Sequence, residues 1–558
     1  MNVCHLLSMR AKQSPSKTAL IDRRSRVSYQ DLDESCAQLA TTLHRQGVRP
    51  GDAALILVPL STTFYVIVTA VLRLGAVPVL VDPGRGRSHV ERCCRLVQPR
   101  VFVGSPRSHL LLATSPALRK ITLRFSTSRL VPSSHRLLRT SITGMGITPV
   151  DNDASALITF TSGSTGMPKA IVRSHGFLLA QHKALHLSLG HADDEVVLSA
   201  LPIFVLSHLA AGLTCVLPDC DLRRPGDIAP DALIAQLATH AVGAVEAPPA
   251  LLEQIVRRCV EKGMRLAVRR FLIGGAPVFP RLMDELATIS PGCEVNNIYG
   301  SSEAEPIAQI SASAISAEDI CAMKTGRGLL VGTPIPSIDL RVLSPSWART
   351  IASISDLEDA SLPPGQIGEV IVCGDHVLSG YLCAQEIASK IRVDGIVWHR
   401  TGDIGYIDSY GRLWLLGRVD PSRDGQANLY PLSVETAMSF FPAVERSAFF
   451  ALNDKRILAL QLDPRCQPDL RRFQKLLREA SVDSIWEVPH IPTDRRHNSK
   501  IDYKGLTSHR RQYRIWEIND GSIVEQPAHQ KPWITMPTLR TIATRYLGNI
   551  RQRVWRFL

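Results

Sequence analysis

Hydrophobic and polar residues alternate with several different periodicities along this chain, and each periodicity predicts a different type of secondary structure. The stretch "SYQDLDESCAQLATTLHRQGV" (28–48) has apolar residues at helical spacing behind a serine, which predicts an amphipathic helix. The runs "DAALILVPL" (52–60) and "VPVLVDP" (77–83) are short and mostly apolar, as is typical of buried strands. Between them, "TTFYVIVTAVLRLGA" (62–76) predicts a mostly buried helix ending at Gly75. Strands that alternate with helices favour a mostly parallel α/β sheet.

The pattern changes further along the chain. Residues 124–152 are polar and weakly periodic, which predicts a long connection. The α/β alternation resumes after residue 195 and gives way at about 330–416 to short strands separated by Gly/Pro turns, which predicts a β-rich subdomain. A segment of mixed pattern follows to about residue 506, and we interpret the last fifty residues as a separate basic tail.

Length and composition indicate a multidomain globular protein. The chain has 558 residues, too many for one compact core, and its 45% hydrophobic and 21% charged residues are ordinary values. No apolar run reaches the roughly 18 residues of a membrane span, and the start lacks the pattern of a secretory signal. The twelve cysteines show no CxxC spacing, which favours reduced thiols in a cytoplasmic protein over zinc ligands or disulfides.

The net charge of +13 comes largely from the C-terminal end, where residues 504–558 hold ten Lys/Arg against three Asp/Glu. Aromatic residues interleaved with basic ones are absent elsewhere, so the charge does not indicate a nucleic-acid-binding protein. The end "TIATRYLGNIRQRVWRFL" (541–558) can form a basic amphipathic helix. That helix could contact a membrane surface or a partner enzyme, or dock on its own protein.

The stretch "LITFTSGSTGMPKAIVRSHG" (157–176) is suited to bind an anion. Glycines let backbone N–H groups approach phosphate oxygens, hydroxyls add donors and lysine adds positive charge. The residues with these properties are Thr161, Ser162, Gly163, Ser164, Thr165, Gly166 and Lys169. It is not a Walker loop, because Pro168 replaces the second glycine and Ala170 the magnesium-binding hydroxyl. The β-branched residues that follow predict strand–loop–strand; a solvent-exposed Ser/Gly turn is the alternative.

Four further stretches carry groups that suit a nucleotide. They are "NNIYGSSEAEP" (296–306), "HRTGDIGYID" (399–408), "GRVD" (417–420) and "RRHNSKID" (495–502). An aromatic face suits a purine, one carboxylate suits Mg²⁺ on a triphosphate, and another can accept from both ribose hydroxyls. The side chains concerned are Tyr299, Ser302, Glu303, Asp403, Arg418 and Lys500. Each stretch alone is a weak signal, but their order and spacing together are specific.

With these motifs the chain resembles the superfamily of acyl- and aryl-CoA synthetases, nonribosomal adenylation domains and beetle luciferases. The resemblance runs from about residue 5 to 506 and implies an α/β fold. A large N-terminal domain, with two α/β subdomains and a β-barrel-like subdomain, is expected to be hinged to a small α+β C-terminal lid. The implied boundaries are 1–417 for the N-terminal adenylate-forming domain, 418–422 for the hinge, 423–506 for the lid and 507–558 for a basic extension.

The resemblance also implies a reaction. Enzymes of this superfamily convert a carboxylate and Mg·ATP into an acyl adenylate and pyrophosphate, and the small domain then rotates for a second reaction. By position, residues 161–169 would bind the β- and γ-phosphates, and Ser302 would contact the α-phosphate, where the superfamily usually has Thr. Glu303 would be the Mg²⁺ ligand, and Lys500 would bridge the substrate carboxylate and the phosphate.

The nucleoside part of ATP is assigned in the same way. Tyr299 and Gly275 would flank the adenine, Asp403 and Arg418 would hold the ribose, and Asp420 would mark the hinge. The implied cofactors are ATP and Mg²⁺, with CoA required only if the acyl group passes to a thiol. Intact charged residues at these positions disfavour a non-catalytic binding protein.

Departures from the usual pattern bear on the second reaction. The segment "PSRDGQANLYPLSVETAMSFFPAVERSA" (421–448) replaces the usual loop and helix start of CoA ligases, and Val205 stands where many of them have His. Other stretches, such as "CVLPDCDLRRPGDIAP" (215–230) and "IPTDRRHNSKID" (491–502), resemble the β-lactone synthetases of bacterial olefin biosynthesis.

This branch implies that the substrate is a β-hydroxy acid, such as a β-hydroxy fatty acid. Its own hydroxyl displaces AMP and closes a β-lactone. A base near this hydroxyl would help, and His399 or His208 could serve, although a structural role is the favoured interpretation of either histidine. The alternative is a fatty acid ligase that passes the acyl group to CoA or to a carrier-protein thiol. The implied partner is a small carboxylic acid, and the expected location is the cytoplasm, with the tail available for a membrane surface.

Overall fold

The computed structural model describes most of the chain. The described residues are 1–128, 131, 135–136, 143–162, 168–222, 228–344, 351–380, 390–419, 429–463, 465, 473–493, 501–510, 513–519 and 522–525. They form two compact units. The first comprises Met1–Asp219 and the short segment that starts at Leu378, and the second comprises Cys220–Val377 and the described residues from 390 onward.

Helices and strands alternate in the first unit. Its helices are α1 (Cys4–Gln13), α2 (Tyr29–Arg45), α3 (Thr62–Arg73), α4 (Arg87–Val97), α5 (Pro106–Thr114), α6 (Pro116–Arg119), α7 (His175–Leu189) and α8 (Pro202–Ala211). Its strands are β1 (Thr18–Ile21), β2 (Arg26–Ser28), β3 (Ala53–Leu57), β4 (Val77–Leu80), β5 (Val101–Gly104), β6 (Leu123–Ser126), β7 (His135–Arg136), β8 (Ser155–Ser162), β9 (Pro168–Ser174), β10 (Val196–Ser199) and β11 (Thr214–Val216).

The predicted elements near the N-terminus are confirmed, and their ends have local causes. Ser28 Oγ accepts the N–H of Asp31 at 3.1 Å and so caps the start of α2. Gly75 ends the α3 segment with a φ of +77°, and a Cβ there would lie 3.2 Å from Val150 Cγ1. A residue with a side chain would therefore be both strained and crowded at this turn into β4.

The first unit contains a seven-stranded sheet in the order β7-β6-β5-β3-β4-β8-β9. All neighbours are parallel except β8 and β9, which pair antiparallel. A second set of strands runs in the order β10-β11-β1-β2. The long connection predicted from residue 124 is wrong at its start, because β6 continues the sheet to Ser126 with Phe125 fully buried.

The second unit has eight described helices: α9 (Pro230–Thr239), α10 (Pro249–Lys262), α11 (Pro280–Ile289), α12 (Ala317–Lys324), α13 (Ile354–Ala360), α14 (Pro431–Ser439), α15 (Gln474–Glu479) and α16 (Tyr503–Ser508). Its main strands are β12 (Ala244–Ala247), β13 (Arg270–Gly274), β14 (Glu294–Ser301), β15 (Ala304–Ser311), β16 (Leu329–Pro334), β17 (Asp339–Leu343), β18 (Gly368–Cys373), β19 (Lys390–Val393), β20 (Ile396–Ile407) and β21 (Leu413–Arg418). The remaining strands are β22 (Val444–Leu452), β23 (Lys455–Leu462), β24 (Ser484–Glu487), β25 (Arg514–Asn519) and β26 (Ser522–Glu525).

The main sheet of the second unit changes character along its width. β12, β13 and β14 are parallel, and from β14 onward the order β14-β15-β16-β21-β20-β18-β17 is antiparallel. The predicted change from α/β alternation to short β-strands is therefore confirmed. The α/β fold class is confirmed as well.

Residues 429–525, here called the small domain, form a separate five-stranded sheet in the order β22-β23-β24-β25-β26. Its core includes Phe449, Ile485 and the fully buried Trp486. The sheet continues beyond residue 506, at which the sequence pattern predicts the end of the lid. β25 pairs with β24 through Trp516 opposite Ile485, so the chain from 514 to 525 belongs to this sheet.

Two general expectations can be compared with the described residues. In that part of the chain, no helix combines the length and apolar character needed to cross a bilayer. The cysteines there are free thiols, and most of them are buried.

Candidate active site

The loop rich in hydroxyls and glycines lies between two antiparallel strands of the first unit. β8 ends at Ser162 and β9 begins at Pro168, with Thr161 opposite Lys169. The predicted strand–loop–strand arrangement is confirmed. The loop itself and the Ser162 side chain lie outside the described residues, and the predictions that remain untested there are those for Ser162, Gly163, Ser164, Thr165 and Gly166.

A buried arginine that the sequence pattern did not single out joins these two strands. Arg173 on β9 is 1% exposed, and its Nη1 donates to Thr159 Oγ1 on β8 at 2.7 Å. Its guanidinium carbon also lies 5.7 Å from the centre of the Phe177 ring. These contacts hold together the strand pair that carries the loop. The signal in the sequence was an arginine directly after the apolar run "AIV" (170–172).

Two predicted nucleotide residues meet in the second unit. Tyr299 lies near the end of β14 and Asp403 lies on β20, 104 positions apart in the sequence. The Tyr299 Oη donates a hydrogen bond of 2.6 Å to Asp403 Oδ2. Loss of hydration raises the pKa of Tyr299 well above its ordinary value, and the neighbouring Asp403 raises it further. The phenol therefore stays protonated and remains a donor throughout the physiological pH range.

Arg418 joins this pair from the neighbouring strand. Asp403 on β20 lies opposite Arg418 on β21, and Arg418 Nε is 3.2 Å from Asp403 Oδ1. Arg418 Nη2 also donates to the backbone oxygen of Thr401 at 2.9 Å. The three predicted residues Tyr299, Asp403 and Arg418 thus form one contiguous group, which we call the ribose cluster.

Thr401 is a member of the "RTGD" motif whose individual role the sequence did not reveal. Its Oγ1 accepts the N–H of Asp403 at 3.0 Å and donates to the backbone oxygen of Val370 at 2.8 Å. The threonine thereby fixes the backbone of Asp403 to strand β18. The motif draws attention to Thr401, but the sequence alone does not show which atoms its hydroxyl bonds.

Gly275 lies beside Tyr299 at the edge of the parallel strands. Gly274 on β13 is opposite Ile298 on β14, so Gly275 follows the last paired residue of β13 while Tyr299 continues in β14 and pairs with Ala308. Gly275 has a φ of +83°, and nothing lies within 4 Å of the position that its Cβ would take. The glycine is therefore required by the backbone conformation, and the space beside it is open.

Ser302 and Glu303 lie at the tight turn between β14 and β15. The Glu303 N–H donates to Ser301 Oγ at 3.3 Å. A Cβ at Gly300 would lie 3.0 Å from the backbone oxygen of Ala304, so the turn is closed too tightly for a larger residue. Both predicted side chains are half-buried and lie a few residues after Tyr299 on one turn. A hydroxyl and a carboxylate on such a turn can contact a phosphate and ligate Mg²⁺ respectively.

Two of the remaining candidates, Lys500 and Asp420, lie outside the described residues. His208 is buried in the first unit with its ring centre 5.1 Å from that of His191, and His399 is buried on β20 of the second unit. The role of either histidine as a base remains a prediction.

Comparison with known proteins adds to this geometry. A model of the family described as AMP-binding enzyme matches residues 7–382. The chain belongs to this family. The prediction of an adenylate-forming superfamily member is confirmed, and so is its assignment as an AMP-forming ligase.

Curated relatives in this family include two olefin β-lactone synthetases. The one from Stenotrophomonas maltophilia is 30% identical, with 86% of this chain and 90% of the relative covered. The one from Xanthomonas campestris is 29% identical, with 88% and 92% covered. A feruloyl-CoA synthase from an Amycolatopsis species is 28% identical, with 80% and 85% covered.

Solved structures of AMP-binding enzymes share the fold. The amide bond synthetase McbA of Marinactinospora thermotolerans superposes with a TM-score of 0.75 at 20% identity, covering 91% of this chain and 99% of that chain. The o-succinylbenzoate-CoA synthetase of Bacillus subtilis, solved with ATP and a magnesium ion, gives a TM-score of 0.70 at 22% identity, covering 88% and 97%. Adenylate-forming enzymes thus use ATP and Mg²⁺, and this chain has their architecture.

Proposed function

We propose that this protein activates a β-hydroxy carboxylic acid, such as a β-hydroxy fatty acid, as an acyl adenylate and then closes it to a β-lactone. In the first step a carboxylate oxygen bonds to the α-phosphorus of ATP, and the bond to the leaving pyrophosphate breaks. In the second step the β-hydroxyl oxygen bonds to the carbonyl carbon and AMP leaves with the electron pair of its C–O bond. The hydroxyl proton passes to solvent or to a base.

The observation that carries the adenylation half is the ribose cluster. A carboxylate fixed by a phenol and a guanidinium is suited to accept hydrogen bonds from ribose hydroxyls. The open space beside Gly275, at the same edge of the sheet as Tyr299, suits a flat base. We therefore assign the adenosine half of ATP to Gly275, Tyr299, Asp403 and Arg418.

The phosphates are assigned to the first unit's loop and to the β14–β15 turn. Residues 161–169 would bind the β- and γ-phosphates, Ser302 the α-phosphate and Glu303 the metal. A bound Mg²⁺ would neutralise charge that develops on the phosphate oxygens. Lys500 would orient the substrate carboxylate toward the α-phosphate, since attack of one anion on another requires both to be held and neutralised.

The lactone half rests on the two olefin β-lactone synthetase relatives, which match over most of both lengths. An intramolecular nucleophile needs no second substrate, because the hydroxyl is already held two carbons from the activated carbonyl. This also accounts for the rewritten segment 421–448, which in a CoA ligase would help to admit the thiol.

A thiol-free assay tests the proposal. The enzyme is incubated with Mg·ATP and a panel of β-hydroxy and plain fatty acids of matched length. We expect AMP release and a product one water lighter than the acid, with β-hydroxy acids only. Release that requires added thiol, with equal use of plain acids, would refute lactone formation.

The second candidate is transfer of the acyl group to CoA or to a carrier-protein thiol. The feruloyl-CoA synthase relative favours it, since that match also covers most of the chain. Both candidates share the same adenylation residues, so the motifs do not distinguish them. The same assay with CoA or a phosphopantetheinyl carrier added separates the two by the mass of the product.

We further propose that the N-terminal domain spans residues 1–417 and the hinge 418–422, as in the superfamily, whereas the small domain extends to residue 525. We also propose that the basic C-terminal segment contacts an anionic membrane surface in the cytoplasm. The excess of basic residues after 504 supports such a surface. Because β25 and β26 belong to the small sheet, a deletion that tests the tail should begin at residue 526. The truncated enzyme should keep its activity but no longer sediment with phosphatidylserine vesicles. Sedimentation that persists after truncation would contradict the proposal. If the full chain binds a pathway enzyme but no vesicles, the partner of the tail is a protein.

A further inference from the structure

The hydrogen bond between Tyr299 and Asp403 connects two different parts of the second unit. Tyr299 lies near the end of β14, directly after the residues that pair with β13, whereas Asp403 lies on β20 and pairs with β21. Their side chains meet at 2.6 Å. A hydrogen bond that joins a phenol to an ionised carboxylate belongs to the short and strong class.

Asp403 also contacts Arg418 and Thr401, and these two contacts differ in strength. Arg418 has a side chain that is 64% exposed, whereas that of Asp403 is 20% exposed. An ion pair with so exposed a partner is screened by water and holds the carboxylate less firmly than a short hydrogen bond does. The bond from Thr401 holds the backbone N–H of Asp403 and not its carboxylate. Of these three contacts, the bond from Tyr299 is the one best placed to fix the plane of the carboxylate.

We propose that Tyr299, besides offering its ring to the base, is a positioning residue for the ribose: its hydroxyl orients the Asp403 carboxylate so that this carboxylate recognises the ribose hydroxyls. The inference rests on the proposed function, because it takes a ribonucleotide as the ligand. It adds an interaction that the motifs do not contain, since they name the two residues separately.

Tyr299→Phe keeps the ring and removes only the hydroxyl. The test compares ATP, 2′-deoxy-ATP and 3′-deoxy-ATP in pyrophosphate exchange, together with direct calorimetric binding of the same three nucleotides. For the wild type we expect each lost ribose hydroxyl to weaken binding by about tenfold, as for a hydrogen bond to a charged group. In Tyr299→Phe we expect ATP to bind about tenfold more weakly, while the deoxynucleotides change little, so that the discrimination is lost.

The control is Tyr406→Phe. Tyr406 lies on the same strand as Asp403, and its hydroxyl donates to the backbone oxygen of Arg327 at 3.2 Å. Its loss should leave nucleotide discrimination unchanged. Equal weakening of all three nucleotides in Tyr299→Phe would indicate a merely structural role and would overturn the proposal, as would unchanged discrimination.

Two further arms make the result decisive. Tyr299→Met also lacks the hydroxyl and fills the space with a flexible apolar chain, so it replaces Tyr299→Phe if that variant does not melt cooperatively. Failure of both to fold would show that the residue is structural and reject the positioning role. The calorimetric measurement separates the role of Tyr299 from the proposed function. If the wild type binds ATP but exchanges no pyrophosphate with any acid, adenylation is refuted. The comparison of ATP with the two deoxynucleotides still tests the role of Tyr299 in that case.

Discussion

Gly402 lies between Thr401 and Asp403 with a φ of +72°, a conformation that residues with a side chain rarely adopt. A Cβ at this position would lie 3.4 Å from Arg418 Nη2, which is an ordinary van der Waals distance. The glycine is therefore required by the backbone conformation directly before Asp403, and not by crowding.

Gly402→Ala should affect stability and nucleotide binding together. The left-handed conformation costs an alanine roughly 1–2 kcal/mol, and relaxation of this strain would shift the adjacent Asp403, which should raise the KM for ATP several-fold. Melting temperature and pyrophosphate-exchange kinetics measure the two effects. Gly411→Ala is the control, because Gly411 has a φ of +74° and open space around it. It should lower the melting temperature alone; an equal rise in KM for both variants would contradict the expectation.

The sequence identified all three members of the ribose cluster but not the bonds between them. Tyr299, Asp403 and Arg418 stand in recognisable motifs, so their residue types and order could be interpreted. The contact between Tyr299 and Asp403 depends on the register of the strands from β14 through β15, β16 and β21 to β20. No local sequence pattern encodes how far each strand is shifted against the next. The contact could therefore be identified only from the folded structure.

At the scale of elements, the predicted helices and strands are confirmed where one physical signal dominates the local sequence. The α2 helix has a serine cap and a regular apolar stripe, and β3 and β4 are short apolar runs. The hairpin of β25 and β26 was missed, because its basic residues were counted with the tail. Its own signals were present: "RIWEIN" followed by Asp-Gly at 520–521 is typical of two strands joined by a tight turn.

Helix α14 carries a buried acid that makes the stability of the small domain depend on pH. Glu435 Oε1 accepts the N–H of Phe449 at 3.0 Å, and burial raises the pKa of Glu435 from 4.5 to about 7. Between these values the folded state holds a proton that the unfolded chain has lost. The free energy of unfolding therefore falls as pH rises from about 4.5 to about 7 and then levels off.

Glu435→Gln should remove this dependence, because the amide resembles the protonated acid. We expect the variant to be more stable than the wild type at pH 8, by up to about 3 kcal/mol, and little changed at pH 4.5. Urea unfolding at the two pH values measures the difference. Glu479→Gln changes an exposed acid of the same domain and should have no such effect. Equal stability of Glu435→Gln and the wild type at pH 8 would contradict the assignment.

At the scale of the whole molecule, the small domain contacts the rest of the second unit through packing as well as polar groups. Helix α14 packs against β21 and α12. Arg446 Nη2 lies 3.5 Å from Glu253 Oε2, and Arg281 Nη1 donates to the backbone oxygen of Val444 at 3.3 Å. Lys324 lies over the ring of Phe440 at 5.3 Å. A partly exposed ion pair such as that of Arg446 and Glu253 contributes at most about 1 kcal/mol.

Lys500→Ala tests whether the small domain takes part in adenylation. We expect pyrophosphate exchange to fall by at least about a hundredfold, since a charge that acts on the reacting phosphate is lost. AMP binding should persist, because the ribose cluster is intact. Lys504→Ala removes an exposed lysine on α16 and should leave exchange unchanged. Exchange that is undiminished in Lys500→Ala would remove that lysine from the mechanism.

The five-stranded sheet of the small domain ends at β26, which is an edge strand whose last residue is Glu525. The anchoring point of residues 526–558 is therefore part of the small domain itself. If the small domain rotates between the two reactions, this point moves with it. A fluorophore attached at residue 526 would then report the rotation, and a tail immobilised on a vesicle would restrain it.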